Sequence, residues 1–135
     1  MPANLRDVLT LVGRIALATL FIKEGVHQII DFSGTERYMA AAGLPMVNVL
    51  LVLTILIEAG GGIAIALGWK ARWAALAFAI WLVPVTVVFH NPWSGDAQTA
   101  STQTIHLLKN LSIFGGMLLL AAFGPGRYSL EREQG

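Results

Sequence analysis

Apolar residues gather in four long blocks, at about 8–30, 46–69, 73–90 and 104–123, separated by short polar breaks. At ~1.5 Å per residue each block is close to or beyond the length needed to cross a hydrocarbon core of ~30 Å. The second is the cleanest, with Glu58 as its single charge near the middle. The first holds Arg14, Lys23, Glu24, His27 and Gln28, and the last holds Lys109 and Asn110, so a plain hydropathy scan undercounts the spans. In the third, Pro84 frees the carbonyl of Ile80 and predicts a kink. The pattern predicts an all-α integral membrane protein, a four-transmembrane-helix bundle in one domain over 1–135. The first block is read as a retained helix and not a signal peptide, because Lys23, Glu24 and His27 stand where a small-residue cleavage site belongs.

The breaks orient these helices. Arg6, the turn Lys70-Ala71-Arg72, Arg127 and Arg132 fall on one side, against Arg37 alone among the loop residues of the other. The positive-inside rule then puts both termini in the cytoplasm. In the first outer loop, Ser33-Gly34-Thr35-Glu36 reads as a capping box for a short interfacial helix through Ala42, stopped by Gly43 and kept from resuming by Pro45. The second outer loop, 91–103, opens with the turn-forming run Asn91-Pro92-Trp93-Ser94-Gly95-Asp96.

Composition sharpens this picture. The chain is 56% hydrophobic and 13% charged, with a mean hydropathy of +0.67, far more apolar than a soluble domain with roughly 25% charge. A net charge of +1 without a basic stripe argues against nucleic-acid binding. Cysteine is absent, so thiolate and Cys-ligated metal chemistry are excluded for this chain. No flavin, haem or nucleotide fingerprint stands out, so electrons for any redox reaction come from a partner. Trp69, Trp73 and Trp93 read as interface anchors, and Trp81 as a helix-packing residue whose alternative role is to line a pocket.

A charge inside a span costs a few kcal/mol, so Glu58 is expected to be paired or functional. Counting from the cytoplasmic ends puts Arg14 ~9 Å deep and Glu58 ~17 Å deep, within reach of a guanidinium arm. From the outer ends Lys109 lies ~8–9 Å deep and Glu58 ~18 Å deep, making Lys109 the other candidate partner. Arg14, Ala18, Phe21, Gly25 and Gln28 share one face of the first helix, with Lys23 and His27 nearly opposite. His106, Lys109, Asn110 and Ile113 cluster on one face of the last helix, while Gly61 and Gly62 beside Glu58 allow a close helix crossing. His27, His90 and His106 fall within about one turn of the outer surface, but without a ligand pair at helical spacing no metal is assigned to them. The plainer role of Arg14, Glu58, Lys109 and Asn110 is a structural network that fixes helix register.

Several pieces of this chain together resemble the DoxX family: Arg14, Phe21 and Gly25; Gly43-Leu44-Pro45; Glu58-Ala59-Gly60-Gly61-Gly62; Arg72; and Lys109-Asn110-Leu111-Ser112-Ile113-Phe114-Gly115-Gly116. The Glu-x-x-Gly-Gly and Lys-Asn-Leu-x-x-x-Gly-Gly pieces carry the specificity. Gln28 departs from the pattern, at a position where a basic residue is expected. The resemblance implies a four-helix prokaryotic inner-membrane protein. It also implies a redox setting, since some relatives are subunits of a thiosulfate:quinone oxidoreductase and others serve oxidative-stress and thiol homeostasis through membrane-associated complexes.

The resulting expectation is a subunit of a membrane redox complex near the quinone pool. Glu58 and Lys109 are its catalytic candidates, and Arg14, Asn110 and His106 its ligand-binding candidates. Its expected partners are the lipid bilayer, a redox partner protein and a second copy of the chain. Two other classes of function fit the same sequence: a non-catalytic scaffold or assembly protein, and a small-solute or proton transporter. The transporter reading lacks helix-breaking Gly/Pro segments in paired halves.

Overall fold

Asp31 ends one helix and begins the next, which sets the architecture of the outer end. Its N–H closes on the His27 carbonyl at 2.8 Å, and its carboxylate accepts the Gly34 N–H at 3.1 Å. The computed structural model, which describes residues 1–93 and 95–131, contains five helices and no strand among the described residues. They are α1 (Ala3–Ile30), α2 (Phe32–Ala41), α3 (Val47–Leu67), α4 (Ala71–Phe89) and α5 (Ala97–Phe123). Arg132 lies outside the described residues, as does Ser94 of the second outer loop.

The short helix of the first outer loop is present, but its cap is Asp31 and not Ser33. A carboxylate is a stronger acceptor at this position than a hydroxyl, and Asp31 already lies at the break after α1. The second outer loop is shorter than expected, because α5 starts at Ala97 and not near 104. Asp96 caps it, accepting the Thr99 N–H at 2.8 Å; this hydrogen bond holds the Asp96 carboxyl below its usual range. Thr102 and Thr104 bond back to the carbonyls of Gln98 and Ala100, so the polar run satisfies its own hydroxyls while staying helical. Pro84 sits inside α4, which continues to Phe89.

Three helices, α3, α4 and α5, are long and apolar enough to cross a membrane. Their outward faces are apolar and exposed, at Leu56, Ile80, Val87, Leu111 and Leu119 among others, as a protein solvated by lipid requires. Trp69, Trp73 and Trp93 are exposed. α1 packs mainly against α3 through the face read from its period: Arg14, Ala18, Phe21 and Gly25 are all buried. The α1–α3 crossing is tight enough to require glycine. A Cβ on Gly25 would stand 2.6 Å from the Ala59 nitrogen, and one on Gly62 would stand 2.9 Å from Ile22 Cγ1. The core beneath contains Phe21, Phe78 and Trp81, with Phe21 and Phe78 centroids 4.4 Å apart and Trp81 set edge-on to both.

Within α3, residues Leu56–Gly61 take a π-helical turn, which carries Glu58 and meets Gly25 of α1. Such turns insert one residue into the helical register, re-aim the side chains around them and are frequent at functional sites.

Candidate functional site

Glu58 is 6% exposed, and its hydrogen-bond partner is Gln28, whose Nε2 donates to Glu58 Oε2 at 2.5 Å. This corrects the expected pairing with Arg14 or Lys109. Gln28 is on the buried face of α1 opposite the π turn, so its amide reaches the carboxylate directly. The position where a basic residue was expected thus supplies a neutral donor. The other amide atom, Gln28 Oε1, is buried with no hydrogen-bond partner among the described residues.

Arg14 turns the other way because the end of α3 offers it acceptors. Its guanidinium donates to the Ile65 carbonyl at 3.3 Å and to the Tyr128 carbonyl. A cation at a helix C-terminus is favoured by the unpaired carbonyls there, and Gly68 leaves room for it. Arg72 does the same for α5, donating to the carbonyls of Ala121 and Ala122. The segment after α5 then runs back under α3, with Leu130 and Glu131 N–H groups on the Leu67 and Gly68 carbonyls. Replacing Arg14 by methionine keeps volume but strands the Tyr128 carbonyl, while the Ile65 carbonyl keeps the Gly68 N–H, so stability should fall by roughly 1–3 kcal/mol. Trypsin should then cut faster after Arg127; an unchanged cleavage rate would show that Arg14 does not hold this segment.

Lys109 and Asn110 are also separated. Asn110 is buried and donates to Thr86 Oγ1 of α4 at 3.0 Å, whereas Lys109 is exposed with its Nζ 3.5 Å from His106 Nδ1. Consecutive residues on a helix lie 100° apart, and α4 covers only the Asn110 side. His106 in turn stacks on His90, with ring centroids 4.8 Å apart, and His90 Nδ1 lies 3.0 Å from Gln103 Oε1.

Above Glu58 is a cavity of about 390 Å³, within the usual range for small-molecule sites. Its floor is Glu58 and Gln28; Trp81, Val85 and Phe89 of α4 form one wall; α2 roofs it with Thr35, Tyr38 and Met39. Tyr38 stacks on Phe89 at 5.3 Å, which fastens this roof to α4. Thr54, His27 and His90 add polar groups, and Glu24, held by Lys23 at 2.8 Å, lies at the rim with Asp31. Of the five site residues expected from sequence, only Glu58 lines the cavity. His106 and Lys109 reach it through His90, Asn110 joins α4 to α5, and Arg14 belongs to the opposite end. Gln28, Thr54, Val85 and Phe89 were not singled out as site residues, whereas Trp81 was read as a packing residue with a pocket-lining alternative. Gln28 alone carried a visible signal, as a polar residue on an otherwise buried face.

These features define a small polytopic helical membrane protein with a buried acid at the base of a partly open cavity. It belongs to the DoxX family, whose model matches residues 9–91. The Lys109-Asn110 motif lies beyond that match, but similarity to individual relatives extends over it. The chain is 41% identical over 129 residues to the inner membrane protein YqjF of Escherichia coli (strain K12), covering 96% of this chain and 94% of the relative. It is 36% identical over 128 residues to YphA of the same organism, also named an inner membrane protein, covering 95% and 91%. A more distant likeness, 29% over 84 residues, is to the yeast ER-derived vesicles protein ERV29, covering 62% of this chain and 26% of that one. No solved structure matches. The protein is accordingly an inner-membrane protein.

Proposed function

We propose that this protein is the membrane-embedded subunit of a redox complex and that its cavity binds the head group of a quinone. The observation that carries this reading is Glu58, buried on a π turn beneath a cavity with aromatic walls and an unmet polar atom at its base. The lining suits such a group: Trp81 and Phe89 offer flat apolar faces, and Tyr38 and Thr54 are donors for its two carbonyl oxygens. When bound, a quinone accepts two electrons and two protons, the electrons coming from a partner protein. Glu58 releases and takes up a proton at its Oε atoms, Gln28 orients that carboxyl, and the Trp81–Phe89 wall limits water. His90, His106 and Lys109 form the route by which protons reach the cavity. Asn110 holds the α4–α5 contact beneath that route, and Arg14 closes the far end.

Purification in mild detergent tests the reading. A co-purifying redox partner or a bound quinone supports it, whereas protein that carries neither from quinone-replete membranes returns the scaffold to first place. Lys109→Met should assemble normally and bind quinone as before, since Lys109 does not line the cavity, yet turn over on the order of a hundredfold more slowly because the outer end of the proton route loses its donor. Equal turnover would remove Lys109 from the site.

The proposed topology has four spans, α1 and α3 to α5, with both termini cytoplasmic and α2 at the outer interface. α1, at 28 residues, extends ~42 Å and buries its Arg14 against protein. A reporter fused at the C-terminus should be active only in a cytoplasmic form; activity confined to the outer side would invert the orientation and the placement of the cavity.

A further inference from the structure

α1 and α5 barely touch along their cytoplasmic-end halves by the proposed orientation, and the gap between them is a groove of about 1270 Å³, larger than an ordinary small-molecule site. Its walls are apolar, with Leu9 and Leu17 on α1 and Leu119 and Phe123 on α5. Among the described residues its charged groups are Arg6, Arg14 and Arg127 against one carboxylate, Asp7, which already stands 3.9 Å from Arg6 Nε. Arg14 is 2% exposed; its terminal nitrogens are taken by the Ile65 and Tyr128 carbonyls, its Nε has no hydrogen-bond partner among the described residues, and its charge on the groove's inner side is met by dipoles and not by a carboxylate. Gly13 lines the same groove, and a Cβ there would meet nothing within 4 Å. From Arg6 to Leu17 the groove follows α1 for ~17 Å, running from the chain-end side of the bundle toward its middle.

We propose that this groove binds an anionic phospholipid, its phosphate headgroup at Arg6 and Arg127 and one acyl chain laid between α1 and α5. A lipid is favoured over a water-soluble anion because the basic end continues into an apolar channel that opens on the lipid-facing side of two helices. It is favoured over a second copy of the chain because three arginines converge there with one acid, and a second copy would present the same positive surface. Headgroup attraction adds roughly a fivefold gain for each basic residue at the interface. This site is separate from the cavity at Glu58 and does not depend on what that cavity binds.

The test uses the full chain in a neutral detergent, with phosphatidylglycerol and phosphatidylcholine as probes and bound lipid read by native mass spectrometry. Phosphatidylglycerol should bind more tightly than phosphatidylcholine, and the Arg6→Ala/Arg127→Ala double variant should lose about 30-fold in phosphatidylglycerol affinity with little change for phosphatidylcholine. Both arginines are exposed, so this variant keeps its fold. Gly13→Trp fills the groove without removing a charge and should block the acyl chain while leaving helix content and melting midpoint intact. Equal affinity for the two lipids, or undiminished binding by Gly13→Trp, would overturn the proposal. Competition by inorganic phosphate at the same concentration as phosphatidylglycerol would point to a free-anion site instead. Loss of a dimer in Gly13→Trp would assign the groove to a second copy.

Discussion

Replacing Gly25 by leucine should split the bundle between α1 and α3. Even the first carbon of the new side chain would stand 2.6 Å from the Ala59 nitrogen and 2.8 Å from its Cβ, and backbone cannot yield as a flexible side chain does. Forcing the helices apart also pulls Gln28 from Glu58, so a buried amide and a buried carboxyl lose each other. Overpacking alone costs about 3 kcal/mol at the upper end of its range, against a total stability of ~5–15 kcal/mol. A denaturant titration in detergent micelles reads the loss directly. Gly60→Ala is the control, two residues from Gly62 with nothing within 4 Å of its Cβ, and it should melt close to the native protein. If the two variants lose equal stability, helix crossing is not what these glycines serve.

Glu58→Gln should separate activity from folding. A glutamine keeps a hydrogen bond to Gln28 and nearly the same volume, so insertion and melting behaviour should stay within about 1 kcal/mol of native. It cannot exchange a proton, so quinone turnover by the assembled complex should fall by about a hundredfold or more, in the range assigned to a positioned acid–base group. Glu58→Ala should lose both, because it strands the Gln28 amide in a buried site at a further ~1–3 kcal/mol. Turnover by Glu58→Gln equal to native would leave Glu58 a brace between α1 and α3.

Side-chain periodicity made some of this legible in the sequence and backbone chemistry hid the rest. The face of α1 that runs through Arg14, Ala18, Phe21 and Gly25 is buried as its 3.6-residue spacing required. The packing role of glycine beside Glu58 was equally plain from residue size. By contrast, the partners of Arg14 are main-chain carbonyls of Ile65 and Tyr128, and a carbonyl has no residue type to mark it. Counting depth along ideal helices favoured opposite charges as partners for Glu58, while the carboxylate was met by an amide on the face already identified. The π turn at Leu56–Gly61 is a change of hydrogen-bond register, for which apolar and glycine residues give no pattern. The first two turns of α5 were hidden by their Ser, Thr and Gln content, which reads as loop until Asp96 is recognised as a cap.

The central claim, that the cavity above Glu58 receives a quinone head group, is tested most directly by photolabelling. The assembled complex would be illuminated with an azido-substituted short-chain ubiquinone, and the labelled peptides mapped by mass spectrometry with and without excess unlabelled ubiquinone. Label should appear on Tyr38, Trp81 or Phe89, which line the cavity, and disappear on competition. Label confined to lipid-facing positions such as Ile80 or Leu119, unchanged by the competitor, would contradict it.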